Sequence, residues 1–163
     1  MIFEPDTDGV YVRMSASPAR RLFACGVLYG LGVIVIYLAL TRPPVIGWLL
    51  FLLALGVGVL VLADRLRRAT RHEILLTQND LRDDTGRVLA RLDDVVAVNR
   101  GAFALKPSNG FTLITAQSGA RAWVPGMWWR MGRRVGVGGT MPAGPAKFMA
   151  EQIALIIAKR DQT

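Results

Sequence analysis

Residues 121–134 bring together Arg121, Trp123, Trp128, Trp129, Arg130, Arg133 and Arg134, with no acidic residue among them. Indole rings favour the headgroup zone of a bilayer, and each basic residue near an anionic surface adds about 1 kcal/mol of attraction. Trp and Arg also dominate the energetic centres of protein–protein contacts. A third use is plain packing, with Trp123 and one of the Trp128–Trp129 pair filling a core. Neighbouring residues on a strand face opposite ways, so Trp128 and Trp129 are not expected to be buried together. Arg130, Arg133 and Arg134 are expected to stand exposed beside them.

Residue types suited to catalysis are scattered. His72 is the single histidine and Cys25 the single cysteine, so a Ser-His-Asp set, a Cys-His pair or a His-based metal site lacks its parts. Asp83-Asp84 and Asp93-Asp94 are carboxylate pairs, but adjacent strand residues diverge, and Asp83-Asp84-Thr85-Gly86 reads as a turn. Gly136-Val137-Gly138-Gly139 lacks the Gly-Lys-Ser/Thr ending of a phosphate loop. It is expected to be a flexible turn or a place where backbone passes close to a neighbour. No catalytic residue, metal or cofactor is expected, and His72 reads as a juxtamembrane surface residue.

The elements that would position the Trp/Arg segment begin with two uncharged apolar runs, at about 22–40 and 45–63, separated by Thr41-Arg42-Pro43-Pro44. About 18 or more such residues can cross the ~30 Å hydrocarbon layer as a helix that satisfies its own backbone. Residues 18–65 are therefore expected to form a transmembrane hairpin, entered through Ser17-Pro18 as N-cap and first-turn proline. The first run is longer than a signal-peptide core and a second span follows at once, so it reads as retained. Cys25 falls inside it as a packing residue. Gly26 and Gly30, then Ala54 and Gly58, are small residues at four-residue spacing that allow close helix approach in lipid. They serve either to pack the two helices of the hairpin together or to dock it onto another membrane protein.

The net charge of +8 invites a nucleic-acid reading, but its distribution argues for topology instead. Arg13, Arg20 and Arg21 precede the first run, Arg65, Arg67, Arg68 and Arg71 follow the second, and the loop between holds only Arg42. Lys and Arg collect on the cytoplasmic side of membrane helices. Both termini are expected to be cytoplasmic in a multi-pass membrane protein, with no nucleic-acid partner. Tyr37 and Trp48 suit an aromatic belt at the far boundary.

Residues 1–17 read as a polar cytoplasmic lead-in, with one alternating stretch at Val10, Val12 and Met14 that is either a strand or an ordered approach to the helix. From His72 the pattern changes to short apolar stretches broken by turns. These lie at 73–77, 81–82, 87–92, 95–98, 102–105 and 111–116, with a turn at Ser118-Gly119 and a further strand starting at 121. Asn109-Gly110 is a strong hairpin signal. Residues 72–161 are thus expected to form a mainly-β barrel or sandwich. An amphipathic helix at about 145–160 closes it, burying Ala146, Met149, Ile153, Ile156 and Ile157.

The order of these elements resembles the bacterial pleckstrin-homology-like (PH-like) domains attached to membrane hairpins. The residues that carry the resemblance are 74–81, Gly86, Leu92-Asp93-Asp94-Val95, 106–111 and the final helix. The resemblance implies a PH-like fold, a place in the bacterial inner membrane and a role in scaffolding, assembly or envelope maintenance. Some members act in assembling photosynthetic or respiratory complexes. The leading expectation is a non-catalytic accessory or assembly factor that binds a membrane protein complex, with homo-oligomers possible. The alternative is a protein that binds anionic phospholipid headgroups and organises the membrane. An enzyme is not expected.

Overall fold

The computed structural model describes residues 6–42, 45–101 and 107–160. The expected Pro43-Pro44 turn and the stretch at 102–105 lie outside them. Two long helices come first, α1 (Pro18–Thr41) and α2 (Ile46–Ala69), each of 24 residues. At 1.5 Å per residue, each is about 36 Å long, enough to cross a membrane. They outrun the expected bounds because their charged ends stay helical. Asp64 pairs with Arg67 at 3.1 Å and Arg68 at 2.7 Å, one turn ahead, and the Thr70 hydroxyl donates to the Leu66 carbonyl at 2.8 Å. The apolar windows of the two helices are only 17% and 11% buried, which is unlike the core helices of a soluble protein.

The seam between the helices corrects one expectation. Its buried small residues are Cys25, Gly32 and Ala39 on α1 and Gly56 and Ala63 on α2. They recur every seven residues, the spacing that keeps one stripe facing a partner helix. A Cβ on Gly32 would stand 2.7 Å from Leu60, and one on Gly56 would stand 2.5 Å from Ile36. Gly30 is two residues from Gly32, and Ala54 and Gly58 are each two from Gly56. At 100° per residue they point about 200° away from the seam. Gly26, Gly30, Ala54 and Gly58 are accordingly exposed, and nothing lies within 4 Å of a Cβ built on any of the three glycines. They do not pack the hairpin.

The β region has two antiparallel sheets. The first runs β1 (Val10–Ser15), β2 (Glu73–Thr77), β3 (Asp80–Asp83) and β4 (Val88–Arg91). The second runs β5 (Val95–Asn99), β6 (Phe111–Val124) and β7 (Trp128–Val137). Of the two readings of the stretch at Val10, Val12 and Met14, the strand is the one formed, and it is an edge strand of this region, so residues 10–15 are not a lead-in separate from it. Met14 sits opposite Ile74 and Ser15 opposite Glu73, so the helical hairpin is inserted between two paired strands. Val12 and Met14 face the core, Met14 being 1% exposed. At the start of β1, Arg13 reaches Asp8 at 2.6 Å, which raises its pKa, and the Thr7 backbone N–H holds the Asp6 carboxyl below the usual carboxylate range.

Both sheets and the last helix, α3 (Ala143–Arg160), enclose one core that includes Met14, Ile74, Leu81, Phe111, Leu113, Val135, Met149 and Ile153. The helix starts two residues earlier than expected. Its inner face is as read, with Ala146, Met149, Ile153 and Ile157 buried and Ile156 half-buried. The Asp83–Gly86 turn also forms: the Asp83 carboxylate accepts from the Thr85 hydroxyl at 2.5 Å and the Arg87 N–H at 3.0 Å, and Gly86 has φ +86°. Asp94 accepts the Gln117 N–H at 2.9 Å, a structural use for the second acidic pair.

Ser118-Gly119 is not the expected turn. One strand, β6, runs through it to Val124, and the register against β7 shifts on either side of the Gly119–Gly132 pair. Gly132 takes φ +60°, a conformation costly for other residues. The β6–β7 ribbon doubles back at this glycine pair. As a result the Gly138 N–H donates to the Met127 carbonyl at 2.8 Å and the Thr140 N–H to the Gly126 carbonyl at 3.0 Å.

Candidate functional site

The doubled ribbon is fastened to the open end of the helical hairpin. A Cβ on Gly126, at the ribbon's tip, would stand 2.6 Å from Leu66 and 3.3 Å from Thr70 at the end of α2. The Ser17 N–H, at the start of α1, donates to the Thr140 carbonyl at 3.0 Å, and Arg20 donates to the Met141 carbonyl at 3.0 Å. The Thr140 hydroxyl donates to the Gly126 carbonyl at 2.8 Å. Both helices are thus tied to the same loop and turn, which sets the ribbon's position relative to them.

Strand alternation then sorts the Trp/Arg segment into two faces. Trp123 lies opposite Trp129, and Val124 opposite Trp128. Inward goes Trp128, 3% exposed, with the Arg87 guanidinium 4.8 Å above its ring, a favourable cation–π distance. Outward go Trp123 and Trp129, with Arg121 and Met131 two residues along on the same side. Trp123 is 62% exposed and Met131 60%. Together with Ala122 and Arg130, these residues line a shallow open depression of about 530 Å³.

The expected site residues therefore have different fates. Trp123, Arg121, Arg133 and Arg134 are exposed, and Trp129 is half-buried. Trp128 belongs to the core. Arg130 departs from expectation: it shares the inward phase of Trp128, its guanidinium occupies the space above Gly119, and it donates to the Leu89 carbonyl at 3.1 Å. It ties β7 to β4. Arg133 Nε donates to the Thr115 carbonyl at 3.0 Å. Arg121 and Arg134 make no hydrogen bond or ion pair among the described residues. Met131 was not singled out from sequence, and Gly136, expected in a flexible turn or a close backbone passage, instead lies inside β7 beneath the Trp129 indole. Met131 was legible as the outward residue two beyond Trp129, whereas the seating of Trp129 on Gly136 has no local signal.

Elsewhere the reactive residue types are occupied by structure. His72 Nδ1 meets Asp84 Oδ1 at 2.8 Å on the surface, and Cys25 lies in the helix seam. Gly138 and Gly139 are where backbones pass close, against Gly110 and Gly126. A second depression, of about 500 Å³ near the start of α3, holds Arg100 and Lys147, both drawn to Glu151, at 2.9 and 4.0 Å. Among the described residues, no three His, Cys, Asp or Glu side chains gather. No protein-family model, curated protein or solved structure matches this chain.

Proposed function

We propose that the chain is a non-catalytic accessory or assembly factor of a bacterial inner membrane. On this reading it spans the bilayer twice, with both termini cytoplasmic, and carries a PH-like domain on the cytoplasmic side. The order of four strands, three strands and a closing helix supports the PH-like reading. The low burial of both apolar helices and the arginines clustered at the hairpin's open end support the placement. A periplasm-active reporter is then expected to be silent at residue 163 and active between Pro43 and Pro44.

The observation that carries this function is the uncovered small-residue face of the hairpin, where Gly26, Gly30, Ala54 and Gly58 are exposed and take no part in the helix seam. Such a surface is suited to contact and offers no reacting groups. The partner is a membrane protein complex, of the respiratory or photosynthetic type that the family resemblance suggests. The hairpin would meet it through its outward Gly26, Gly30, Ala54 and Gly58, while the ribbon face orients the domain. A tagged full-length protein, released in mild detergent, is expected to bring a stoichiometric membrane complex with it, as read by mass spectrometry. Recovery of the protein alone would defeat this function. A second reading, as an anionic-headgroup binder without a protein partner, is favoured by the way Trp123 and Met131 protrude.

A further inference from the structure

We infer that the outward face of the β6–β7 ribbon beds on the anionic leaflet of the membrane that the hairpin spans, with Trp123 and Met131 entering the headgroup zone and Arg121 and Arg134 meeting phosphates. This rests on the reading above that the domain is held at a membrane by α1 and α2.

Position is the first argument. The ribbon tip touches Leu66 and Thr70, within about a turn and a half of Arg65, the first arginine after the apolar run. Trp123 is three residues from Gly126, about 10 Å along the strand. The headgroup layer is about 5–8 Å deep on each side of the hydrocarbon. The bilayer surface is therefore within reach of this face.

Shape is the second. A protein partner gains most from recessed pockets that desolvate an anchor completely. Here Trp123 and Met131 stand up from the face, 62% and 60% exposed, around an open depression, while Trp129 beside them is half-buried. A fluid leaflet accepts protruding side chains without a matching shape. Trp is at its most favourable at that depth.

Charge is the third. Residues 121–134 contain no acid. Arg121 and Arg134 are exposed and have no partner among the described residues, so they can meet lipid phosphates without first breaking an ion pair. Arg130 and Arg133 are held by Leu89 and Thr115 and are left out of this role.

The test uses the full chain in nanodiscs, with Trp48→Phe to remove the membrane-helix tryptophan. Lipids are phosphatidylcholine alone or mixed with phosphatidylglycerol, each with or without bromine on the upper acyl chain. The emission lost on adding Trp123→Phe isolates Trp123. That component is expected to be blue-shifted and quenched by brominated lipid in anionic discs. Removing Arg121 and Arg134 by R121Q and R134Q should lower the docked-to-undocked ratio about fivefold per charge, less so in high salt.

Equal emission with and without bromine would overturn the inference, as would quenching indifferent to leaflet charge. If Trp123 is unquenched while Trp123→Ser loses the co-purifying complex, the face belongs to a protein and only the accessory function survives. If Trp123 is quenched and no complex is ever recovered, the lipid contact stands and the accessory function fails.

Discussion

Trp129 lies across Gly136. Its indole fills the space where a Cβ on residue 136 would stand, although the two are seven residues apart on the same strand. An extended strand would separate them by more than 20 Å. They meet because the ribbon folds back at Gly119 and Gly132, and the contact holds Trp129 half-buried while Trp123 opposite it stays in solvent.

Gly136→Val should therefore lift Trp129 off the ribbon and destabilise the domain by about 1–3 kcal/mol, as overpacking does. Gly144→Ala, at a position with open space around it, should cost nothing. Denaturation of the full-length protein in detergent, followed by tryptophan emission, compares the two. Equal stability would mean that Trp129 does not rest on Gly136.

Met14 belongs to the core of a domain whose other strands all lie beyond the helical hairpin. Met14→Ala is expected to cost about 2–5 kcal/mol. A fragment beginning at residue 72 lacks β1 and leaves β2 as a raw sheet edge, which should make it prone to association. Two-dimensional NMR of that fragment, with and without residues 6–16 fused ahead of it, reads this directly. Identical, well-dispersed spectra would show β1 to be dispensable.

Arg130 and Arg134 should behave differently despite lying four residues apart. Arg130→Ala removes a donor from the Leu89 carbonyl and the packing above Gly119, a loss of about 1–3 kcal/mol. Arg134→Gln, at the surface, should stay within about 0.5 kcal/mol of the parent. Denaturation midpoints that ranked the two the other way round would contradict the inward placement of Arg130.

In the hairpin, Gly32→Leu would drive a side chain into Leu60 and the Gly56 carbonyl and should split the helix pair, lowering thermal stability in detergent. Gly30→Leu points away from the seam and should leave that stability unchanged while reducing recovery of a bound complex. Equal melting of the two variants would mean that the seam does not run through Gly32.

Features whose forces act within a few residues follow directly from the order of the amino acids. Uncharged apolar runs make long helices because each helix satisfies its own backbone within a few residues. Asp83 and Gly86 make a turn because the carboxylate bonds the backbone just ahead and the glycine tolerates positive φ. The inner face of α3 follows from helical spacing, and the opposed faces of Trp128 and Trp129 from strand alternation.

The remaining features depend on contacts between segments far apart in the chain. Small residues recur at four-residue spacing in Gly26–Gly30 and Ala54–Gly58 and at seven-residue spacing in Cys25–Gly32–Ala39 and Gly56–Ala63. Only contact between the helices selects the second set as the seam. The stretch 10–15 becomes a strand because β2, brought back by the hairpin, supplies the hydrogen bonds that six residues cannot make alone. Ser118-Gly119 carries turn chemistry, yet pairing with Gly132 makes it a bend within a continuous strand. That bend sets Trp129 on Gly136, a contact between segments that meet only when the ribbon folds over.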